Sequence, residues 1–176
     1  MPMRILVADD HAVVRCGLRA ILGARNNWEI CGEAVSGDEA IALAKKFRPD
    51  VVILDLSMPG TGGLEAAQHI KREVPGLEVI VLTCYYSKAL LGEILKMGVL
   101  GFVLKSDAER DLVAAVEAVH RGRPYISRNP DALLPKSSRI SSLDMLLLDC
   151  ESRPESLTKT ERTEVRLLAE QLRQML

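Results

Sequence analysis

Five residues could do chemistry together if the chain brought them to one place: Asp9, Asp10, Asp55, Thr83 and Lys105. Three carboxylates in close company repel and raise one another's pKa values. A hard divalent cation removes that repulsion, and carboxylate plus carbonyl ligands suit Mg²⁺. A carboxylate can also attack phosphorus and become an aspartyl phosphate. Such a transfer needs the phosphoryl oxygens neutralised, which a metal ion and a lysine supply. A nearby threonine could then hydrogen-bond the new phosphoryl group. Each residue type has a job in a single reaction.

Taken singly, each has a plainer reading. Asp9-Asp10 could be a helix cap and its neighbour. Asp55 could be a loop carboxylate, and Lys105 a solvated lysine. Their joint placement argues for chemistry, and that placement depends on the elements around them. Met3 to Ala8 (MRILVA) reads as a buried strand, followed by a helix over Ala12 to Leu22. Trp28 to Val35 is a second, less apolar strand that suits a sheet edge. Asp38 to Phe47 is a helix ending before Pro49. Val51 to Leu54 is the most apolar strand and belongs centrally. Gly63 to Val74 is a helix, Glu78 to Thr83 a strand, Lys88 to Met97 a helix, Leu100 to Leu104 a strand. Ala108 to Arg121 is a last helix, stopped by Gly122 and Pro124. Five strand–helix repeats imply a five-stranded parallel sheet with right-handed crossovers and helices on both faces. Such sheets bind ligands outside the carboxyl ends of their strands, at the switch in strand order. All five candidate residues fall at or just after strand ends.

Composition agrees with this α/β architecture. The chain has 176 residues, 48% of them hydrophobic and only 3% aromatic. A Val, Leu, Ile and Ala core suits a parallel sheet covered by helices. Net charge is −1, giving no global pull toward nucleic acid or anionic membrane. Cys16, Cys31, Cys84 and Cys150 form no C-x-x-C pair, which favours free thiols over a disulfide or zinc site. His11, His69 and His120 lack metal-ligand spacing and read as surface or structural residues. Gly60, Gly62 and Gly63 mimic a dinucleotide-binding loop, but Glu65 stands where a glycine is required, so they read as a turn. No signal peptide or membrane-spanning run is legible, so the expectation is a cytoplasmic protein with no membrane partner.

VADDH (Val7 to His11), LDLSMPGTGG (Leu54 to Gly63), VLT (Val81 to Thr83) and GFVLKS (Gly101 to Ser106) resemble bacterial response-regulator receiver domains. The resemblance covers about residues 3 to 122 with every landmark in order. It implies a flavodoxin-like (βα)5 receiver domain over residues 1–122. By the same resemblance Asp55 is the phosphoacceptor. Asp9, Asp10, Asp55 and the Ser57 backbone carbonyl would hold Mg²⁺, and Thr83 and Lys105 would bind the phosphoryl oxygens. Phe102 reads as core from its sequence, and the resemblance gives it the aromatic switch position beside Thr83. The donor would be a histidine kinase, and homodimerisation on phosphorylation is the family expectation, through the fourth and fifth helices with the fifth strand. Cys84 stands where receivers usually carry alanine or glycine, and Phe102 lacks the hydroxyl that a tyrosine would offer there.

From Arg123 the pattern changes. Pro124, Pro130 and Pro135 with a Ser-rich run read as a linker over residues 123–156, with an apolar island at Leu143 to Leu148. GRPYIS (Gly122 to Ser127) resembles the receiver exit of the NarL/FixJ subfamily. LTKTERTEVRLL (Leu157 to Leu168) resembles the opening helix of a LuxR-type DNA-binding domain, so residues 157–176 read as an incomplete helix-turn-helix segment. Residues 123–176 hold nine Lys/Arg against eight Asp/Glu, which is no basic stripe. DNA binding is therefore expected only of a full-length form carrying a recognition helix.

Together these readings make the chain a self-modified switch of a two-component system and not an enzyme. The rivals are a stand-alone receiver acting through protein contacts, and a flavodoxin-like or phosphatase-like hydrolase using Asp55 on small phosphate esters. Repeated turnover would distinguish the hydrolase.

Overall fold

The computed structural model describes residues 1–127. In chain order these form β1 (Met3–Ala8), α1 (Ala12–Gly23), β2 (Trp28–Ala34), α2 (Gly37–Phe47), β3 (Val51–Asp55) and α3 (Gly63–Glu73). There follow β4 (Glu78–Thr83), α4 (Lys88–Lys96), β5 (Gly101–Leu104), a single 3-10 turn at Lys105–Asp107, α5 (Ala108–His120) and β6 (Tyr125–Ile126). The Leu143 to Leu148 island and the 157–176 segment lie outside the described residues. None of the described helices is long and apolar enough to cross a membrane.

The strands lie in the order β2-β1-β3-β4-β5-β6, every pair parallel. β2 sits at one edge and the fully buried β3 lies inside, as their relative hydrophobicity predicts. Side chains of a strand alternate between faces, and that alternation divides the core in two. Ile5, Val7, Val51, Ile53, Ile80, Leu82 and Val103 pack with α1 and α5. Leu6, Ala8, Val52, Leu54, Val79, Val81 and Phe102 pack with α2, α3 and α4. Both faces are covered, which is why every interior strand reads as a continuous apolar run.

The sheet has six strands instead of the expected five. The missed strand lies just past Pro124, in a stretch whose composition reads as linker. Proline is tolerated at the start of an edge strand, where no ladder donor is required of it. The next residues do pair: Tyr125 N–H donates to Leu100 O and Ser127 N–H to Phe102 O, both at 2.8 Å. Ser127 is buried, and its hydroxyl accepts from Leu104 N–H at 3.3 Å while donating to Asp111 Oδ2 at 3.0 Å. Arg110 grips both oxygens of the same Asp111. Burial alone would push the Asp111 carboxyl up, but the Arg110 and Ser127 hydrogen bonds outweigh it and hold it below the usual range.

This clamp makes a checkable expectation. Ser127→Ala should cost about 1–2 kcal/mol, because it leaves Leu104 N–H and Asp111 short of a partner. The loss would show as a lower urea midpoint with an unchanged m-value. An unaltered midpoint would mean that the exit segment does not belong to the folded unit.

Candidate phosphoacceptor site

The chain turns at β1: α1 and β2 go to one side, and β3 onward to the other. The carboxyl ends of β1 and β3 therefore flank the switch point, where a crevice must open. Asp9 follows β1 directly and Asp55 ends β3. Counting the alternation along each strand puts Asp9, Asp55 and Lys105 on the α1/α5 face and Thr83 on the other.

The contacts agree. Lys105 Nζ lies 2.7 Å from Asp9 Oδ2 and 2.8 Å from Asp55 Oδ2. Asp9 and Asp55 are 0% and 1% exposed. Ser57 N–H donates to Asp55 Oδ1 at 3.2 Å, and His11 N–H to Asp9 Oδ1 at 2.9 Å. Thr83 is buried too, but its Oγ1 accepts Tyr85 N–H at 3.2 Å, and no described hydrogen bond joins it to Asp55. Phe102 is buried on Thr83's side of the sheet, with Tyr86 against it edge-on at 5.9 Å between centroids. Cys84 is exposed beside Thr83. Ser57 lies in the turn after β3, with its N–H turned to Asp55.

That turn is shaped by close packing. A Cβ on Gly63 would stand 2.0 Å from Asp55 O, so only glycine lets α3 start this near the end of β3. Gly60 has φ +73°, a conformation that suits glycine. Both support the reading of these glycines as a turn. Thr61 ties the loop to the first turn of α2, donating to Asp38 from its N–H at 3.2 Å and its hydroxyl at 2.5 Å.

The electrostatics follow from burial. Desolvation raises the Asp9 carboxyl above its ordinary value, Asp55 adds to the rise, and Lys105 and the His11 N–H only partly offset them. Burial pulls the Lys105 ammonium down, but the two carboxylates outweigh it and leave its pKa raised. One ammonium thus serves two buried carboxylates, with Asp10 close by. Asp9 Oδ2, Asp10 Oδ1 and His11 Nδ1 are buried atoms without a proper hydrogen bond. Asp9 Oδ2 and Asp10 Oδ1 have only ion-pair neighbours, Lys105 and the His11 ring at 2.7 and 2.8 Å. Ligand atoms of Asp9, Asp10, His11 and Asp55 all lie within 4.8 Å of one another. Unsatisfied oxygen donors with surplus negative charge fit a hard divalent cation. His11 Nδ1 lies within this group, although its spacing gave no metal signal. Arg15, which donates to Asp9 O at 2.8 Å, was also missed. It is a charged residue on the buried side of α1.

The chain belongs to the response regulator receiver domain family, whose model matches residues 5–117. It is 40% identical over 125 residues to the oxygen regulatory protein NreC of Staphylococcus epidermidis, a match covering 70% of this chain and 57% of that protein. The chain thus spans less than two thirds of the length of the curated relatives it matches. Among solved structures it resembles a LuxR-family two-component response regulator from Aurantimonas sp. SI85-9A1, at TM-score 0.69 and 32% identity, covering 82% of this chain and 99% of that one. The isolated REC domain of RcsB from Salmonella enterica serovar Typhimurium, solved with the phosphomimetic BeF3−, gives TM-score 0.68 and 32% identity, covering 81% and 99%.

The raised Asp9 pKa predicts how metal-free stability varies with pH. Between the unfolded and folded pKa values the native state holds the extra proton, so stability falls as pH rises through that window. Asp9→Asn should therefore unfold at higher urea than wild type near neutral pH in the presence of a chelator. The gain should vanish below about pH 4, where the unfolded carboxyl is protonated as well. A variant less stable than wild type at neutral pH would contradict the assignment.

Proposed function

We propose that this receiver domain works as a phosphorylation switch in a two-component system, with Asp55 as the phosphoacceptor. The observation that carries the reading is a buried Asp55 sharing one ammonium with Asp9, with the Asp10 carboxylate close enough to join them around one ion. Mg²⁺ is the cation proposed, held by Asp9, Asp10, Asp55 and the Ser57 backbone carbonyl. When bound, it would neutralise phosphoryl oxygens during transfer. An Asp55 carboxylate oxygen attacks phosphorus. The bond to a histidine nitrogen of the kinase breaks, and that nitrogen leaves with the electron pair. Lys105, already on Asp55, needs only a small shift to meet a phosphoryl oxygen. Thr83 uses its oxygen to accept Tyr85 N–H, which leaves its hydroxyl proton free to donate. The phosphomimetic seen with the RcsB domain supports a phosphoryl site in this fold.

The same reading makes the protein a cytoplasmic regulator and not an enzyme, with a histidine kinase as its donor and a homodimer as its phosphorylated form. Thr83 and Phe102 are proposed as the switch pair. The domain plan proposed is a receiver over residues 1–122, a linker over 123–156 that contributes Tyr125–Ile126 as β6, and an incomplete LuxR-type helix-turn-helix segment over 157–176. DNA binding would belong to the full-length form.

Incubation with acetyl phosphate and Mg²⁺ should give a single phospho-adduct by intact mass, absent from Asp55→Asn and from wild type treated with chelator. An adduct that persists in Asp55→Asn would sink the assignment. Continuous release of phosphate from small esters would favour the hydrolase.

Lys105→Ala should separate modification from response. Phosphorylated wild type is expected to dimerise, while the phosphorylated variant stays at the unphosphorylated dimer fraction in sedimentation. An equal response in both would show that Lys105 does not relay the signal.

A further inference from the structure

Arg15 is charged, yet only 8% exposed. A buried guanidinium is costly unless its donors are met. Its Nη1 donates to the backbone carbonyl of Asp9 at 2.8 Å, and its Nε to Glu33 Oε2 at 3.0 Å. Glu33 sits on β2 beside Val7, two residues before Asp9. Its second oxygen is held by Arg19 Nη1 at 2.6 Å, one helical turn beyond Arg15. The guanidinium is therefore braced by Glu33, itself held by Arg19, while it grips a single carbonyl.

That carbonyl is the oxygen of the peptide that joins Asp9 to Asp10. A peptide unit is planar, so fixing its oxygen fixes the direction in which the Asp10 Cα leaves Asp9. Asp9 is otherwise held by its N–H to Ala34 O at 3.1 Å and by its carboxylate contacts. The His11 N–H bond to the Asp9 carboxylate closes a turn around the Asp9–Asp10 peptide without touching it. Arg15 is the described contact made to that peptide's own oxygen.

We propose that Arg15, braced by Glu33 and Arg19, is a positioning residue that sets the Asp9–Asp10 peptide so that both carboxylates face one divalent cation. The proposal rests on the reading of these acids as the Mg²⁺ site. Arg15 touches neither the cation nor the phosphoryl group. Outer partners that orient ligands change metal affinity about 10–100-fold when lost.

The test is Mg²⁺ binding by calorimetry on the whole chain, beside the rate of acetyl phosphate labelling across Mg²⁺ concentration. Arg15→Met keeps the apolar stem and removes the donors. Its Kd for Mg²⁺ should rise roughly tenfold. Its labelling rate should approach that of wild type at saturating Mg²⁺, because Asp55 and Lys105 are untouched. Arg15→Lys, which can meet one partner but not both, should fall between. Glu33→Gln should move Kd in the same direction by less. Wild-type Mg²⁺ affinity in a folded Arg15→Met would overturn the proposal while leaving the phosphoacceptor reading intact. Should Arg15→Met fail to fold, Arg15→Lys and Glu33→Gln decide: weaker binding in both supports it, wild-type binding in both overturns it. A wild-type chain that binds no Mg²⁺ overturns this proposal and the metal reading together.

Discussion

Asp9 and Asp55 can be buried side by side because Lys105 reaches both, at 2.7 and 2.8 Å. Without that ammonium, two anions would face each other in a pocket with little water, and each would be driven toward protonation. The neutralisation is incomplete, since one positive charge faces three acids once Asp10 is counted. Asp9's pKa is raised chiefly by its burial, with Asp55 adding to the rise, and the Asp10 oxygen has only the His11 ring beside it. A pocket in this state suits a hard cation, the charge arrangement on which the proposed phosphoacceptor role depends. The incomplete pairing costs stability in the metal-free chain, and the same feature makes the site responsive.

The sheet makes this placement unavoidable. Parallel strands end together at one edge, and the reversal of strand order beside β1 opens that edge between β1 and β3. Alternation then decides which end residues meet. Asp9, Asp55 and Lys105 share the parity of Val7, Ile53 and Val103 and so face α1 and α5. Thr83 shares the parity of Val81 and faces the opposite core with Phe102. The site is thus two half-sites, an ionic one and a hydroxyl–aromatic one, separated by the plane of the sheet.

Much of this was legible in the sequence, for identifiable reasons. Buried strands such as MRILVA and VVILD are short apolar runs closed by acids, so their ends announce themselves. The glycines after Asp55 could be read as a turn, although only the structure shows Gly63 against the backbone of Asp55. β6 escaped because two residues behind a proline carry no periodicity, and its pairing depends on Ser127 finding Leu104 and Asp111 in three dimensions. Arg15 escaped because a helical arginine normally reads as solvated. Its burial follows from the distant partner Glu33, which no local pattern reveals.

β5 is the element common to both half-sites, and this constrains how a signal can leave. Lys105 follows the strand directly and lies on the ionic face, while Phe102 and Leu104 project to the other core. Leu104 is the last residue of this four-residue strand, so the backbone of the ionic residue is joined by one peptide to the strand that carries Phe102. Leu104 N–H is bonded to the Ser127 hydroxyl, and Phe102 O accepts Ser127 N–H. Phe102 in turn carries Tyr86 from the segment that leads into α4. β5 therefore has contacts with two places beyond the ionic site. One is the aromatic pair beside α4, and the other is the residue through which the chain departs toward position 128.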